Sequence, residues 1–214
     1  MDFRDVLSSG GLNTLTFSDP VAKVLCTSAA AIQFGRTLYF DLDTMFAAYV
    51  GAGLIEPGST IRADILLPSK GRFMELLKAG LEMASCQKYS LVVFDSLNGF
   101  YNLYDVSSGG TGRASHLLSI VVMMLVRLGI DFGIPVLATS MLRFRKERGW
   151  IRSPGARRLI NRSSMTVLNA RRLAKEPEAA GEPVQEEVQV EIERHPSIPQ
   201  GTIYPCDGVS ITLR

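Results

Sequence analysis

The residues that usually build metal centres and disulfide frameworks are scarce in this chain. Its 214 residues include only three Cys and two His, and neither type occurs at metal-ligand spacing. Cys26 and Cys86 lie in apolar sequence, which favours buried thiols in a reducing compartment. The sequence therefore predicts no metal site, and it predicts that His116 and His195 lie on the surface or at helix ends.

Long apolar runs are also missing. The most apolar stretch, Leu117 to Leu128, is too short to span a bilayer. The first residues, MDFRDVLSSGG, carry acids where a signal peptide needs an apolar run. Apolar residues still make up 46% of the chain, which is enough for a core. We therefore expect one cytoplasmic domain over residues 1–214, without a membrane partner.

A large net charge is missing too, because two blocks of opposite sign cancel to +2. Met141 to Lys175 hold eleven Lys or Arg and one acid, whereas Glu176 to Glu193 hold seven Glu and no base. Phe144 and Trp150, the only Trp, lie within the basic block. Basic groups neutralise phosphates and aromatic faces stack on unpaired bases, so this block favours nucleic-acid binding. An acidic protein partner and a solvated arm are the alternatives, and the Glu-rich segment could itself cover the basic block.

Strands and helices alternate in the first two thirds of the chain. A helix is predicted from Pro20 up to Gly35, an amphipathic helix over 69–85, and a very apolar helix over 114–133. We expect the last helix to be buried between the sheet and its neighbours, with the methionines of VVMML in the core. Strands are predicted at LNTLTF, RTLYFDLD, IRADILLP, YSLVVFDS and IPVLATS.

Strand-like segments follow one another without helices after Ser140, which is typical of antiparallel hairpins. A polar turn is predicted from Ala174 to Pro183, where two Pro and one Gly occur. The segments before and after this turn are SSMTVLNARR, EPVQEEVQVEIER, GTIYPC and GVSITLR. The whole pattern predicts an α/β fold, in which a parallel central sheet carries an antiparallel extension.

The order of these segments resembles the ATPase core of archaeal RadA-type recombinases and their paralogues. The resemblance extends from Gly10 to Leu213 and suits the short paralogues in size. It implies a RecA-like three-layer fold, with helices on both sides of a mostly parallel sheet and a C-terminal antiparallel extension. The motifs that carry it are YFDLDTMF, LVVFDS, SSGGTGR, VLATS and the tail VEIERHPSIPQGTIYPCDGVSITL.

The phosphate loop of RecA-like ATPases, G-x-x-x-x-G-K-[ST], is absent. No glycine occurs in residues 12–34, and aligning Lys23 with the Lys of the motif puts Phe17 and Ala22 at the two glycines. Side chains at those positions would fill the space of the phosphates, and Pro20 removes one backbone donor. We therefore expect a plain strand-to-helix turn, no nucleotide cofactor and no catalytic residues.

The resemblance also places two carboxylates at the position of the nucleotide site. Asp95 aligns with the Asp of the second ATPase motif, and Asp43 with the catalytic Glu, although Asp is one methylene shorter. Lys23, Asp43 and Asp95 are thus predicted to be a degenerate nucleotide site with structural roles, including an Asp95–Lys23 ion pair.

The two DNA-contacting loops of the recombinase core correspond, by the same resemblance, to SSGGTGR and to the basic block. The nucleic-acid-binding residues predicted in these loops are Arg113, Arg143, Arg145, Lys146, Arg148, Trp150, Arg152, Arg157 and Arg158.

Two functions fit the sequence best, and an ATPase with an unusual phosphate loop is a third, weaker alternative. The first is a non-catalytic recombinase paralogue that binds DNA, preferably single-stranded, or a RadA-type recombinase, and modulates homologous recombination or repair. The second is a RecA-fold structural subunit, either in an RNA-binding ring such as that of Elongator or as a regulator that docks on a protein. The choice between DNA, RNA and protein partners, and between homo- and hetero-oligomers, stays open.

Overall fold

We describe the fold from a computed structural model of the chain, over residues 1–54, 61–69, 71–86, 88–104, 110–152, 159–161, 164–174 and 186–206. The helices are α1 (Phe3–Val6), α2 (Pro20–Phe34), α3 (Met45–Gly51), α4 (Phe73–Cys86), α5 (Leu97–Leu103) and α6 (Gly110–Phe132). The strands are β1 (Leu12–Phe17), β2 (Thr37–Asp41), β3 (Ala63–Leu66), β4 (Leu91–Asp95), β5 (Val136–Arg145), β6 (Gly149–Arg152), β7 (Ser164–Ala174), β8 (Glu186–Arg194) and β9 (Ile203–Pro205).

The strands form one sheet in the order β3-β2-β4-β5-β1-β7-β8-β9, with β6 paired to β5 alone. From β3 to β7 all neighbours are parallel, whereas β8 and β9 continue the sheet in antiparallel pairing. The α/β class, the parallel centre and the antiparallel extension are therefore confirmed. The extension begins one strand later than predicted, because β7 joins β1 in parallel. The predicted turn after Ala174 and the last predicted strand lie outside the described residues.

Alternate side chains of each central strand pack into two separate cores, one on each side of the sheet. Val92 and Phe94 of β4 face the core formed with α4, α5 and α6. Leu91 and Val93 of the same strand face the core formed with α1, α2 and α3. All four side chains are fully buried, as the continuous apolar run in this strand predicts. The two cores make the domain a three-layer structure.

The long helix α6 is only half buried, which corrects the expectation of a helix covered on all sides. Leu118 and Leu125 pack against the sheet, but Met123 and Met124 are 47% and 45% exposed. The prediction that the methionines of VVMML lie in the core is therefore wrong. An apolar composition alone does not distinguish a helix covered on all sides from one that presents apolar side chains to solvent.

The same helix corrects the expectation that no segment is long enough for a membrane. Gly112–Phe132 would suffice by length and composition to cross a bilayer, with a mean hydropathy of 1.7. Because one face of α6 packs against the sheet through Leu118, Val121 and Leu125, however, it serves as a core helix of this domain.

Four parallel strands end at the same edge of the sheet, which we call the carboxyl edge. Phe17, Asp41, Asp95 and Ser140 lie at or near the ends of β1, β2, β4 and the sheet-bound part of β5. The strand pairing sets Asp41 level with Asp95 on neighbouring strands. Ligand sites of open α/β sheets lie outside this edge, so the carboxyl edge is the candidate functional region.

Candidate functional site

The turn from β1 into α2 is too short to be a phosphate loop. Only Ser18 and Asp19 separate the strand from the helix, and Pro20 occupies the first helical turn. The Asp19 side chain accepts hydrogen bonds from the backbone N–H groups of Val21 and Ala22, at 2.7 and 3.3 Å. Asp19 is therefore the N-cap of α2.

An anion of the protein's own chain thus occupies the helix terminus where a phosphate loop would hold phosphate. Free N–H groups and the helix dipole make such a terminus an anion site. Here Asp19 uses two of these N–H groups, Pro20 has none, and Arg172 forms an ion pair with Asp19 at 2.9 Å. These residues do not fit a triphosphate held in the manner of a phosphate loop.

Lys23 lies in the first turns of α2 and is completely buried beneath the carboxyl edge. Its ammonium group lies 2.9 Å from a carboxylate oxygen of Asp95 and 2.9 Å from both oxygens of Asp43. The predicted ion pair between Lys23 and Asp95 is therefore present. The Phe17 ring centroid lies 5.7 Å from the same ammonium group. Burial opposes the charge of Lys23, but the charges of Asp95 and Asp43 outweigh it and raise its pKa.

Asp95 is fully buried, and both of its carboxylate oxygens accept hydrogen bonds. Tyr39 from β2 donates to its Oδ2 at 2.6 Å, and Thr139 from β5 donates to its Oδ1 at 2.5 Å. Together with Lys23 these bonds join α2, β2, β4 and β5 at one carboxylate. The arrangement satisfies Asp95 within the protein, as a buried charge requires.

Asp41 is a further buried carboxyl, and the sequence analysis missed it. Its Oδ2 accepts from the backbone N–H of Ala47 at 2.8 Å, while its Oδ1 has no hydrogen-bond partner within the described residues. Burial and the nearby charges of Asp95 and Asp43 raise the pKa of Asp41 to about 6. The signal in the sequence was that Asp41 ends the apolar run of β2 as Asp95 ends that of β4, on strands predicted to be parallel.

Asp41, Asp43 and Asp95 each offer an oxygen within 4.8 Å of one another, a geometry that could hold a metal ion. Lys23 already provides a fixed positive charge against two of these three carboxylates. A cation bound to Asp43 and Asp95 would have to displace that ammonium group from a fully buried position. The residues therefore fit an ion-pair cluster built around Lys23 better than a magnesium site.

The first part of the basic block, residues 142–152, forms a β-hairpin at the same edge, where the sequence predicted a loop. β5 continues beyond the sheet and pairs with β6, which sets Phe144 opposite Trp150. The two rings are 62% and 54% exposed and contact each other edge to face, with centroids 5.4 Å apart. Arg148 N–H donates to the Arg145 carbonyl in the turn, and Gly149 adopts a φ of 66° that favours glycine.

Four basic side chains lie around the single acid, Glu147, at the tip of this hairpin. Within the described part of the chain, no ion pair involves the exposed residues Arg143, Arg145, Lys146 and Arg148. Strand alternation places Arg143 and Arg145 on the face opposite Phe144. The tip therefore presents an aromatic face and a basic face to solvent.

The acidic strand β8 neutralises other arginines. Glu193 forms an ion pair with Arg152, which also donates to Asn161, and Glu191 pairs with Arg171 at 2.9 Å. Arg152 therefore fastens the base of the hairpin to the sheet. Residues 176–185 of the Glu-rich segment lie outside the described residues, so the expectation that this segment covers the basic block stays a prediction.

The remaining predicted contacts are placed only in part. Arg113 is exposed in the first turn of α6, so this end of SSGGTGR is helical. Since α6 returns from the carboxyl edge to the start of β5, Arg113 lies at the same end of the sheet as the hairpin. Asn98 of α5 accepts from the Met141 N–H at 2.7 Å and fixes the point where the hairpin leaves the sheet. Arg157 and Arg158 lie outside the described residues.

Comparison with known proteins supports the fold alone. No protein-family model matches the chain, and no curated protein matches its sequence. The crystal structure of the RadB recombinase superposes on it with a TM-score of 0.58 at 15% identity, over 99% of this chain and 97% of that chain. The RecA-like recombinase fold implied by the motifs is confirmed.

Replacing Lys23 by Met should lower the free energy of unfolding by about 3–5 kcal/mol, because the substitution leaves Asp95 buried without its cation. Urea unfolding at pH 7 measures this loss. Lys78→Met, at an 80% exposed position on α4, is the matched control and should change little. The second substitution Asp95→Asn should recover part of the loss. A Lys23→Met protein as stable as wild type would show that the cluster is not held by this charge.

The free energy of unfolding should fall as the pH rises from about 4 to 6, because of the buried carboxyl group of Asp41. Its pKa is raised in the folded state, so the native protein binds more protons than the unfolded chain in this window. The loss amounts to up to about 3 kcal/mol and persists above pH 6. Asp41→Asn keeps an acceptor for Ala47 and should remove this loss.

Unfolding measured at pH 4.5 and pH 8 tests this effect. The stability of Asp41→Asn relative to wild type should increase between the two pH values, whereas the exposed control Asp5→Asn should follow wild type. If Asp41→Asn differed from wild type by the same free energy of unfolding at both pH values, the raised pKa of Asp41 would be contradicted.

Proposed function

We propose that this protein is a recombination-related RecA-fold protein that binds single-stranded nucleic acid through the β5–β6 hairpin and does not turn over ATP. The observation that carries the proposal is the hairpin tip, where an exposed Phe144–Trp150 pair adjoins four basic side chains that have no ion-pair partner among the described residues. The likeness to the RadB recombinase supports a role in recombination.

Single-stranded nucleic acid suits this surface better than a duplex. Aromatic faces stack on unpaired bases without regard to sequence, and each stacked base contributes about 1–3 kcal/mol. Phe144 and Trp150 are exposed enough to accept a base, whereas a duplex would offer its bases only through a groove. The basic side chains on the other face of the hairpin neutralise backbone phosphates.

The residues beneath the same edge support the proposed absence of ATP turnover. Asp19 occupies the helix N–H groups, and Lys23 is committed to Asp43 and Asp95. With neither a phosphate cradle nor a free lysine, the fold serves as a platform for the hairpin. In this proposal the protein modulates strand exchange alongside an active recombinase, which supplies the ATP-driven step.

Titration of single-stranded DNA should quench the fluorescence of Trp150, the only Trp of the chain, as bases stack on it. The logarithm of the binding constant should fall with the logarithm of salt concentration with a slope of about −3, if four phosphates are neutralised. Duplex DNA and transfer RNA, titrated in parallel, identify the preferred nucleic acid.

Two variants and a control locate the binding surface. Changing Arg143, Arg145 and Lys146 to Ala together should weaken binding at every sequence and flatten the salt dependence, and Phe144→Ala should weaken binding at least about fivefold. The control variant changes three exposed basic side chains elsewhere to Ala and should bind with unchanged affinity. These residues are Arg4, Arg72 and Lys78. Undiminished binding by the hairpin variants, or binding without a change in Trp150 fluorescence, would contradict the proposal. A clear preference for transfer RNA would favour the structural-subunit function instead.

A further inference from the structure

The helix α6 carries more exposed large hydrophobic side chains than any other described element. Five of the fourteen exposed large hydrophobic side chains lie on this single helix. They are Ile120, Met123, Met124, Ile130 and Phe132. All of them except Ile130 line a groove along the helix, with Leu81 of α4 at one side. Contiguous apolar surface of this kind marks an interaction site more often than scattered single residues do.

The charges near the ends of α6 oppose the dipole of their own helix. Arg113 lies in the first turn, where the dipole is positive, and Asp131 lies in the last turn, where it is negative. Within the helix, Asp131 is compensated only by Arg127, at 3.0 Å, and both side chains are largely exposed. An antiparallel helix alongside α6 would reverse this disadvantage, because each charge would then lie beside a helix end of opposite sign.

We propose that a second copy of this chain covers the face, with the two α6 helices packed antiparallel about a twofold axis. If Arg113 lies level with the partner's Asp131, then Ile120 lies level with the partner's Met124, and Met123 lies beside the axis. The same register therefore matches opposite charges at both ends and apolar side chains in the middle. A twofold contact needs one patch that is complementary to itself, and the outer face of α6 meets this requirement.

Other arrangements fit the charges less well. Parallel packing would set Asp131 against Asp131 of the partner subunit, and Arg113 against Arg113 of the partner subunit, which is unfavourable. An anionic membrane would need basic side chains along the rim of the face, but acidic Asp131 lies there beside Arg127. This dimer surface is separate from the hairpin tip, although Arg113 is shared with the predicted nucleic-acid contacts.

Sedimentation velocity and light scattering of the full chain, from about 1 to 100 μM, test this interface. We expect the mass to rise with concentration from 23.4 kDa towards twice that value. Met123→Glu should weaken dimerisation at least tenfold, and circular dichroism and unfolding should show that it is folded. Leu67→Glu, at a 51% exposed position on another surface, is the matched control and should dimerise like wild type.

Charge reversal tests the antiparallel register. Asp131→Arg alone and Arg113→Asp alone should each weaken the dimer, and the double variant should recover it. A wild-type protein that stays monomeric at 100 μM, a dimer that Met123→Glu does not weaken, or a double variant weaker than both single variants would each overturn the proposal. A monomer that co-floats with vesicles of phosphatidylcholine and phosphatidylserine would overturn it in favour of an anionic membrane surface.

Discussion

The carboxyl edge of this sheet depends on the ion pairs that the ammonium group of Lys23 forms with Asp43 and Asp95. The ammonium group lies between Asp43 and Asp95 without exposure to water, and Asp95 is held in turn by Tyr39 and Thr139. Buried charges of this kind are tolerated only when they are paired and hydrogen-bonded. One helix and three strands of the sheet therefore meet at a single ion-pair cluster.

The same cluster explains how a RecA-like fold can dispense with a phosphate loop. Glycine is needed where backbone N–H groups must converge on a phosphate, and here the Asp19 carboxylate bonds to two such groups from within the chain. A two-residue turn is sufficient for that cap. Hydrogen bonds and ion pairs within the chain hold the cluster together, and the hairpin and the start of α6 are exposed at the same edge.

Much of the fold could be read from the sequence, because its signals are local. Buried parallel strands such as LVVFD appear as continuous apolar runs, and Pro20 and Gly35 mark the limits of α2. The Asp95–Lys23 pair was predictable because both residues align with motif positions at strand and helix ends. The sequence motifs also indicated the RecA-like fold that the RadB comparison supports.

The errors came from features that depend on three-dimensional surroundings. The methionines of α6 are apolar whether they face the sheet or the solvent, so their exposure needed the packing of α4 and α6 to be known. The basic segment was read as a loop because its arginines gave no strand signal, yet Phe144 and Trp150 pair across a hairpin. Asp41 was missed because its unpaired oxygen results from the register of β2 and β4 rather than from any motif.

The most direct test of the central claim is the response of wild-type protein to adenosine triphosphate with magnesium. A ligand present at 100 times its dissociation constant would stabilise the folded state by about 2.7 kcal/mol and raise the melting temperature. Because Asp19 already binds the N–H groups of the helix terminus and Lys23 is paired with Asp43 and Asp95, we predict no saturable change in melting temperature up to about 5 mM nucleotide. A saturable rise that requires magnesium would contradict the account.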